Sequence, residues 1–207
     1  KMKKIKILIV TLLATYSVYA SDYYVNSQTG SDSNNGQSPV NAWKSVDKVN
    51  TTKFKAGDEI LFASGLEYKG MLQINQQYGT KKKPIIFSSY AFDGNTAKPH
   101  IEAKGFLNGI LITDSSHIKI VGFSISADGG LNNPKKGMRC GILYTTKHAG
   151  AYQNITIENC DIKNVFFENP GFQRGEKEVK TANGTQSYGW GIRMIVKKQG
   201  ALKNVSV

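Results

Sequence analysis

The sequence predicts an all-β solenoid, a parallel β-helix, on three observations. Apolar segments of strand length follow one another with turn residues between them, and no convincing helix pattern appears after residue 50. A unit that starts with Gly-Ile and continues into a second apolar segment occurs at Gly109, Gly141 and Gly191. Apolar residues alternate within these segments, so each unit carries three apolar faces. Such faces close around one core only if the chain coils and like strands stack in parallel.

Residues 1–20, KMKKIKILIVTLLATYSVYA, combine a basic start, an apolar run and small residues before Ser21. This pattern is typical of a secretory signal peptide, and a single membrane anchor is the alternative. The run is short for a membrane span and no later segment is apolar enough. We therefore expect a protein that is secreted, periplasmic or on the cell surface of a bacterium, with no integral membrane segment after cleavage.

Residues 21–56 are predicted to form an N-terminal strand, a loop and a capping helix. The strand covers residues 23–25, and the loop NSQTGSDSNNGQSP is dense in turn residues. Asn41 stands where a helix cap would, and apolar residues then recur at helical spacing. These residues are Trp43, Val46 and Val49. A short helix here would cover the first open edge of a solenoid, which otherwise exposes core and unpaired strand.

Residues 57–207 are predicted to form the coils, and the first strands are EILFASG, MLQI, PIIFSSY and HIEA. In the three later units, the inward positions come from up to three strands per unit. They are Ile110, Ile112, Ile118, Ile120, Phe123 and Ile125; Ile142, Tyr144, Ile155, Ile157, Cys160 and Ile162; and Ile192, Met194, Val205 and Val207. Gly122 and Asn159 share a corner that needs left-handed backbone. The last unit stops inside a strand, so we expect the coils to be C-terminally incomplete.

The segments YYVNSQTGSDSNNGQSP, KAGDEILFASGLEYKG and KKKPIIFSSY, with the GI…NITIENC coils, resemble a known class of proteins. They are similar to the right-handed parallel β-helix proteins of the pectate-lyase-like superfamily, over nearly all of residues 22–207. The resemblance implies a right-handed coil and an N-terminal fragment of such a protein. It is less specific for activity, because lyases, glycosidases, epimerases and non-catalytic binders share this fold.

The resemblance also implies a groove for an extended polymer along the first strand of each unit. Its outward residues are Leu111, Leu143 and Arg193. Cationic residues of the flanking loops are the predicted substrate-binding residues: Lys135, Lys136, Arg139, Arg174, Lys197 and Lys198. The formal net charge of +12 falls to +8 when the four lysines of residues 1–20 are removed, and together with these residues it predicts an acidic polysaccharide as the partner of a monomeric protein. The export signal argues against nucleic acid.

The reaction that fits an acidic, uronate-containing polysaccharide is β-elimination by a polysaccharide lyase. The enzyme must neutralise the carboxylate and remove the neighbouring proton. Arg193, Lys147 and His148 are the candidate catalytic residues, and ordinary exposed residues on a sheet or turn are the alternative for each. A Ca²⁺ ion is the candidate cofactor, although no cluster of acidic residues identifies its site.

Two further functions and one feature stay open. A glycoside hydrolase on the same scaffold would need two opposed carboxylates, for which Asp128 and Glu168 are weak candidates. A non-catalytic carbohydrate-binding or surface protein would need neither constellation. Cys140 and Cys160 could pair in an exported protein, but their corners differ, which favours two small buried residues.

Overall fold

The computed structural model describes residues 20–128, 139–165, 189–197 and 199–207. The predicted signal peptide lies outside these ranges except for its last residue. The regular secondary structure of the described residues is almost entirely β, with one helix, α1 (Val46–Thr51). No helix within those ranges combines the length and apolar character needed to cross a bilayer.

The strands belong to three sheets, in which every pairing within a sheet is parallel. Sheet A contains β1 (Asp22–Val25), β2 (Glu59–Ala63), β5 (Ile85–Tyr90), β8 (Ile118–Val121), β11 (Gly150–Glu158) and β14 (Gly200–Ser206). Sheet B contains β3 (Glu67–Lys69), β6 (His100–Glu102), β9 (Ser124–Ser126) and β12 (Asp161–Lys163). Sheet C contains β4 (Leu72–Asn75), β7 (Asn108–Thr113), β10 (Arg139–Thr145) and β13 (Gly189–Ile195).

From β2 to β14 the chain visits sheets A, B and C in strict rotation. Each strand therefore pairs with the strand three positions away in chain order, and no hairpin connects two neighbours among the described strands. In sheet C, Ile142 lies beside Ile110 on one side and beside Ile192 on the other. This arrangement confirms the predicted all-β solenoid with parallel sheets.

The inward positions predicted from alternation are buried in the two complete units, except Cys160 and Ile162, which are half-buried just before and within β12, the edge strand of sheet B. Ile110, Ile118 and Ile125 are fully buried, and the equivalent residues Ile142 and Ile155 are buried as well. In β14 Val205 lies in register beside Ile155, as predicted, but Val205 is 41% exposed and Val207 just beyond the strand is 75% exposed. β14 is the edge strand of sheet A, so no described strand packs against its far side.

The corner between sheets A and B has the left-handed backbone that was predicted there. Gly122 has φ of 75° and Asn159 has φ of 53°. Glycine and asparagine are the residues that reach this region at lowest cost. The same corner is therefore turned in the same way in successive coils.

The helix covers the edge of sheet C, but it begins later than the sequence indicated. Ser45, not Asn41, is the N-cap, because its side chain accepts a hydrogen bond from the Lys48 N–H at 3.1 Å. Trp43 is not helical; it forms a parallel bridge with Val25. Val46 and Val49 are buried, as predicted.

Where α1 meets the first coil, the carboxamide side chains of Asn50 and Gln77 form hydrogen bonds with backbone groups that have no neighbouring strand to pair with among the described residues. The Asn50 side chain bonds the backbone around β4, accepting from Gln73 N–H at 2.7 Å and donating to Met71 C=O at 2.9 Å. Gln77 accepts from Phe54 N–H at 3.1 Å and donates to Thr52 C=O at 2.9 Å. Backbone groups at the edge of the first coil thereby find hydrogen-bond partners.

We expect Gln77→Leu to lower the free energy of unfolding by about 2 kcal/mol, because the buried Phe54 N–H loses its acceptor. Equilibrium urea denaturation measures this loss. Gln73→Leu is the matched control, since the Gln73 side chain lies on the outer face of sheet C, and we expect a change within about 0.5 kcal/mol. Equal losses in both variants would contradict the capping role of Gln77.

The two cysteines are not paired. Cys140 is fully buried, whereas Cys160 is half-buried at a corner. Burial raises the pKa of the Cys140 thiol to about 12, although the positive charge of Arg193 acts in the opposite direction. Cys140 thus behaves as the small buried residue that was expected, and its thiol is unreactive at neutral pH.

Candidate functional site

Three successive turns form one edge of the outer face of sheet C, each following a sheet-C strand and leading to sheet A. They are residues 76–78, 114–116 and 146–148, and we call them the C–A turns. The Ser115 hydroxyl joins the first two turns, because it accepts from Gln77 N–H at 3.1 Å and donates to Ile74 C=O at 3.1 Å. The C–A turns therefore form a continuous ridge.

A buried carboxylate and an exposed imidazole meet on this ridge. Asp114 Oδ2 lies 2.8 Å from His148 Nδ1. Asp114 Oδ1 accepts from the backbone N–H groups of Lys147 at 2.8 Å and His148 at 3.3 Å. The Asp114 side chain is 2% exposed, while that of His148 is 67% exposed. The Asp114 carboxylate of the second C–A turn thus holds the backbone of Lys147 and His148, and the His148 ring, in the third.

The position of Asp114 follows from its local backbone. It comes directly after β7 and has φ of 46°, a conformation that Asp tolerates better than most residues. Burial alone would raise the pKa of Asp114. The hydrogen bonds from Lys147, His148 and Tyr152 outweigh burial, so that the pKa is lowered. Asp114 is therefore a carboxylate at neutral pH.

Three tyrosines surround this pair. Tyr144 is fully buried and its hydroxyl donates to Ser115 C=O at 3.0 Å. Tyr152 packs edge-on against it with ring centroids 6.5 Å apart. Burial and the charge of Asp114 both raise the pKa of Tyr152 and of Tyr78. Tyr78 is 52% exposed, so the ridge presents an aromatic ring to solvent.

The arrangement fixes what His148 can do. With Nδ1–H donating to Asp114, the imidazole has one orientation and one neutral tautomer. Nε2 is then the atom that can accept a proton or a hydrogen bond from a bound molecule. A carboxylate that orients an imidazole in this way is a common device for acid–base chemistry and for polar recognition.

The structure brings two of the predicted catalytic residues, Lys147 and His148, onto this ridge, where both are exposed. Arg193 lies on the outer face of sheet C beside Leu143, as predicted. Its guanidinium carbon lies 4.3 Å from the centroid of the Trp190 ring. Arg193 therefore makes a cation–π contact with Trp190 on this face.

The predicted substrate-binding residues differ in where they lie. Lys197 is exposed after β13, and its backbone bonds the Thr146 hydroxyl at 2.7 Å. Arg139 is only 1% exposed, so its side chain is not presented to solvent as a surface contact requires. Burial lowers the pKa of Arg139, and the charge of Asp128 acts against that. Lys135, Lys136, Arg174 and Lys198 lie outside the described residues, as does Glu168.

Sequence reasoning missed Asp114. Its signal is weak, because the segment TDSSH is typical of an ordinary polar turn. The Ca²⁺ site stays a prediction. In the parts of the chain that the structure describes, one group of three potential metal ligands lies close together: Glu67, His100 and Glu102 on sheet B. This group contains a histidine, whereas Ca²⁺ prefers oxygen ligands.

No protein-family model matches the chain. Over 95 residues, 44% of the chain, it is 36% identical to the lacto-N-biosidase of Bifidobacterium longum subsp. longum, and it spans 6% of that protein. Two crystal structures of GH136 lacto-N-biosidase from Eubacterium ramulus match 89% of this chain, with TM-scores of 0.65 and 0.67 and identities of 21% and 24%. The match covers 34% and 30% of those chains.

A rhamnogalacturonan lyase structure matches 90% of this chain and 62% of its own, with a TM-score of 0.50 and 15% identity. At these identities the structural matches show a shared fold. That fold is one that both a glycosidase and a lyase use. It agrees with the three parallel sheets described above.

Proposed function

We propose that the chain is part of a carbohydrate-active enzyme built on a right-handed parallel β-helix of the pectate-lyase-like kind, and that it contributes to glycoside hydrolysis. The similarity to lacto-N-biosidases in sequence and in fold supports the hydrolase. Right-handed connections between parallel strands are the rule, which supports the hand of the coil. The basic and apolar leader supports export.

The observation that carries the proposal is the Asp114–His148 pair beside an exposed aromatic ring. Sugars bind through flat apolar faces and through hydroxyl groups, so an aromatic ring next to a fixed polar group suits them. Tyr78 supplies the ring, and His148 Nε2 supplies a fixed hydrogen-bond partner. Leu111 and Leu143 lie in register on the outer face of sheet C. Leu143, predicted as a groove residue, is only 8% exposed, so the half-buried Leu111 is the one that extends the surface away from the ridge.

In a hydrolase this surface serves binding. Hydrolysis needs two carboxyl groups flanking the glycosidic bond. Asp114 is buried and bonded on both oxygens, so it is a positioning residue for His148 and not one of the pair. The acid and the nucleophile or base come from other residues of the whole protein.

The same geometry favours a lyase as the second candidate. An imidazole held by a carboxylate is suited to removing the proton beside a sugar carboxylate. Arg193 would neutralise that carboxylate, and the exposed Lys147 adds positive charge to the same ridge. A Ca²⁺ ion remains a candidate for the neutralising role in this reaction.

One assay separates these functions. The whole protein that contains this chain is incubated with neutral oligosaccharides that carry lacto-N-biose units and with uronate polymers, and both reducing ends and ultraviolet absorbance of unsaturated sugars are followed. We expect reducing ends from the neutral substrate without new absorbance. New absorbance on a uronate polymer would replace the hydrolase by the lyase, and binding without either product would favour a non-catalytic module.

Two variants test the site itself. We expect Tyr78→Ala and His148→Ala each to weaken sugar binding by about 10-fold, since each removes one contact of about 1.4 kcal/mol. Calorimetric titration measures the affinity. His117→Ala, one residue beyond the second C–A turn and bonded to Asn154, is the control and should leave the affinity unchanged. Unchanged affinity in both site variants would remove the ridge from the proposal.

A further inference from the structure

Three potential metal ligands meet on the outer face of sheet B, on a different sheet from the ridge. Glu67 lies directly beside His100 in the parallel register of β3 and β6. Glu102 is two residues beyond His100 and so shares its face of the strand. One ligand atom from each of the three side chains lies within 4.8 Å of the other two.

Neighbouring serines hold the histidine ring in place. The Ser124 hydroxyl lies 3.0 Å from His100 Nδ1, and the Ser126 hydroxyl lies 3.1 Å from Nε2. Glu102 Oε2 lies 3.6 Å from the same Nε2. The side chains of His100 and Glu102 are 22% and 30% exposed, so both are partly withdrawn from solvent.

We infer that Glu67, His100 and Glu102 form a zinc site. One imidazole nitrogen and two carboxylate oxygens are ligands that Zn²⁺ accepts, with water in the fourth position of its tetrahedron. Ca²⁺ instead prefers six to eight oxygen ligands, which this group does not offer.

The position of Glu102 favours Nε2 as the ligand atom, because Glu102 Oε2 lies on that side of the ring. With the metal on Nε2, Nδ1–H can donate to the Ser124 hydroxyl. Ser124 then acts as the outer partner that orients a zinc-bound histidine. The Ser126 hydroxyl can rotate toward a ligand oxygen or the bound water.

The site would fasten one coil to the next. Glu67 belongs to β3, the edge strand of sheet B, whereas His100 and Glu102 belong to β6 of the following coil. Lys69 lies beside Glu102 in register, and a bound ion would supplement it as a counter-charge. An ion that binds only the folded chain raises its stability, and the gain grows with the ion's concentration.

Isothermal titration of the untagged protein with ZnCl₂ tests the inference, together with its thermal midpoint. We expect one Zn²⁺ per chain and a higher midpoint at saturation. His100→Ala should abolish both effects. Glu67→Gln and Glu102→Gln, which keep side-chain shape, should weaken binding at least 10-fold, and Ser124→Ala by about 10-fold.

His117→Ala is the matched control and should bind Zn²⁺ like the parent chain. Circular dichroism of each variant verifies folding, and the two Gln variants decide the matter if His100→Ala unfolds. Absence of binding by the parent chain, or undiminished binding by His100→Ala and the Gln variants, would overturn the site. Displacement of Zn²⁺ by equimolar Ca²⁺ would overturn the choice of metal.

Discussion

Replacing Gly109 with alanine is expected to lower the free energy of unfolding by about 2 to 3 kcal/mol. A Cβ at this position would overlap Cγ2 of Ile125 and lie 2.8 Å from the carbonyl oxygen of Gly141. Ile125 is fully buried, and Gly141 belongs to β10, which pairs with β7. Neither atom can move without disturbing the core or the sheet. Equilibrium denaturation measures the loss.

The repeated Gly-Ile motif offers its own control. Gly191 occupies the same place in the third unit, and a Cβ added there would have no heavy atom of the described residues within 4 Å. Gly191→Ala should therefore change stability by less than about 0.5 kcal/mol. Combining Gly109→Ala with Ile125→Ala should cost less than the sum of the single losses, because the overlapping methyl is gone. Equal losses at Gly109 and Gly191 would show that steric overlap is not the cause.

Asp114→Ala is expected to cost about 3 kcal/mol and to release His148. It removes the acceptor of two backbone N–H groups and of the imidazole, and it places alanine in a left-handed conformation. Asp114→Asn keeps one acceptor oxygen and tolerates the same backbone, so we expect about half the loss. An Asn variant as stable as the parent would argue against the ionic part of this interaction.

The contribution of Asp114 should also depend on pH. Its pKa is lowered in the folded protein, so its stabilising effect is fully present above the unfolded value of about 4 and is lost as pH falls through the folded pKa. The stability difference between the parent and Asp114→Asn should therefore shrink as the pH falls below about 4. A difference that stays constant down to about pH 2 would contradict the lowered pKa.

Local patterns were sufficient for most of the fold. Alternating apolar residues and turn residues are signals within one strand and its corner, and they predicted the stacking of Ile110, Ile142 and Ile192. They failed for β3, because it has three residues and only Tyr68 points inward. They also misplaced the helix cap, since Trp43 is held by its bridge to Val25, a contact that helical spacing cannot reveal.

The candidate sites were harder to predict because their members are distant in sequence. Asp114 and His148 are 34 residues apart, and neither stands in a motif. Glu67 and His100 meet only because β3 and β6 pair in one register. Arg139 is a case in which the sequence predicted a site residue that the structure does not support. Net charge and loop position suggested a surface contact, but the side chain is buried.

The rotation of the chain through three sheets has a kinetic consequence. Because each strand pairs with a strand about one full turn of the solenoid away, the first native pairing must close a long loop before any contact offsets the lost entropy. Formation of one pair of adjacent turns should therefore limit the folding rate, and further turns should then add one by one along the axis. We expect slow folding, as in other proteins whose contacts are mostly distant in sequence.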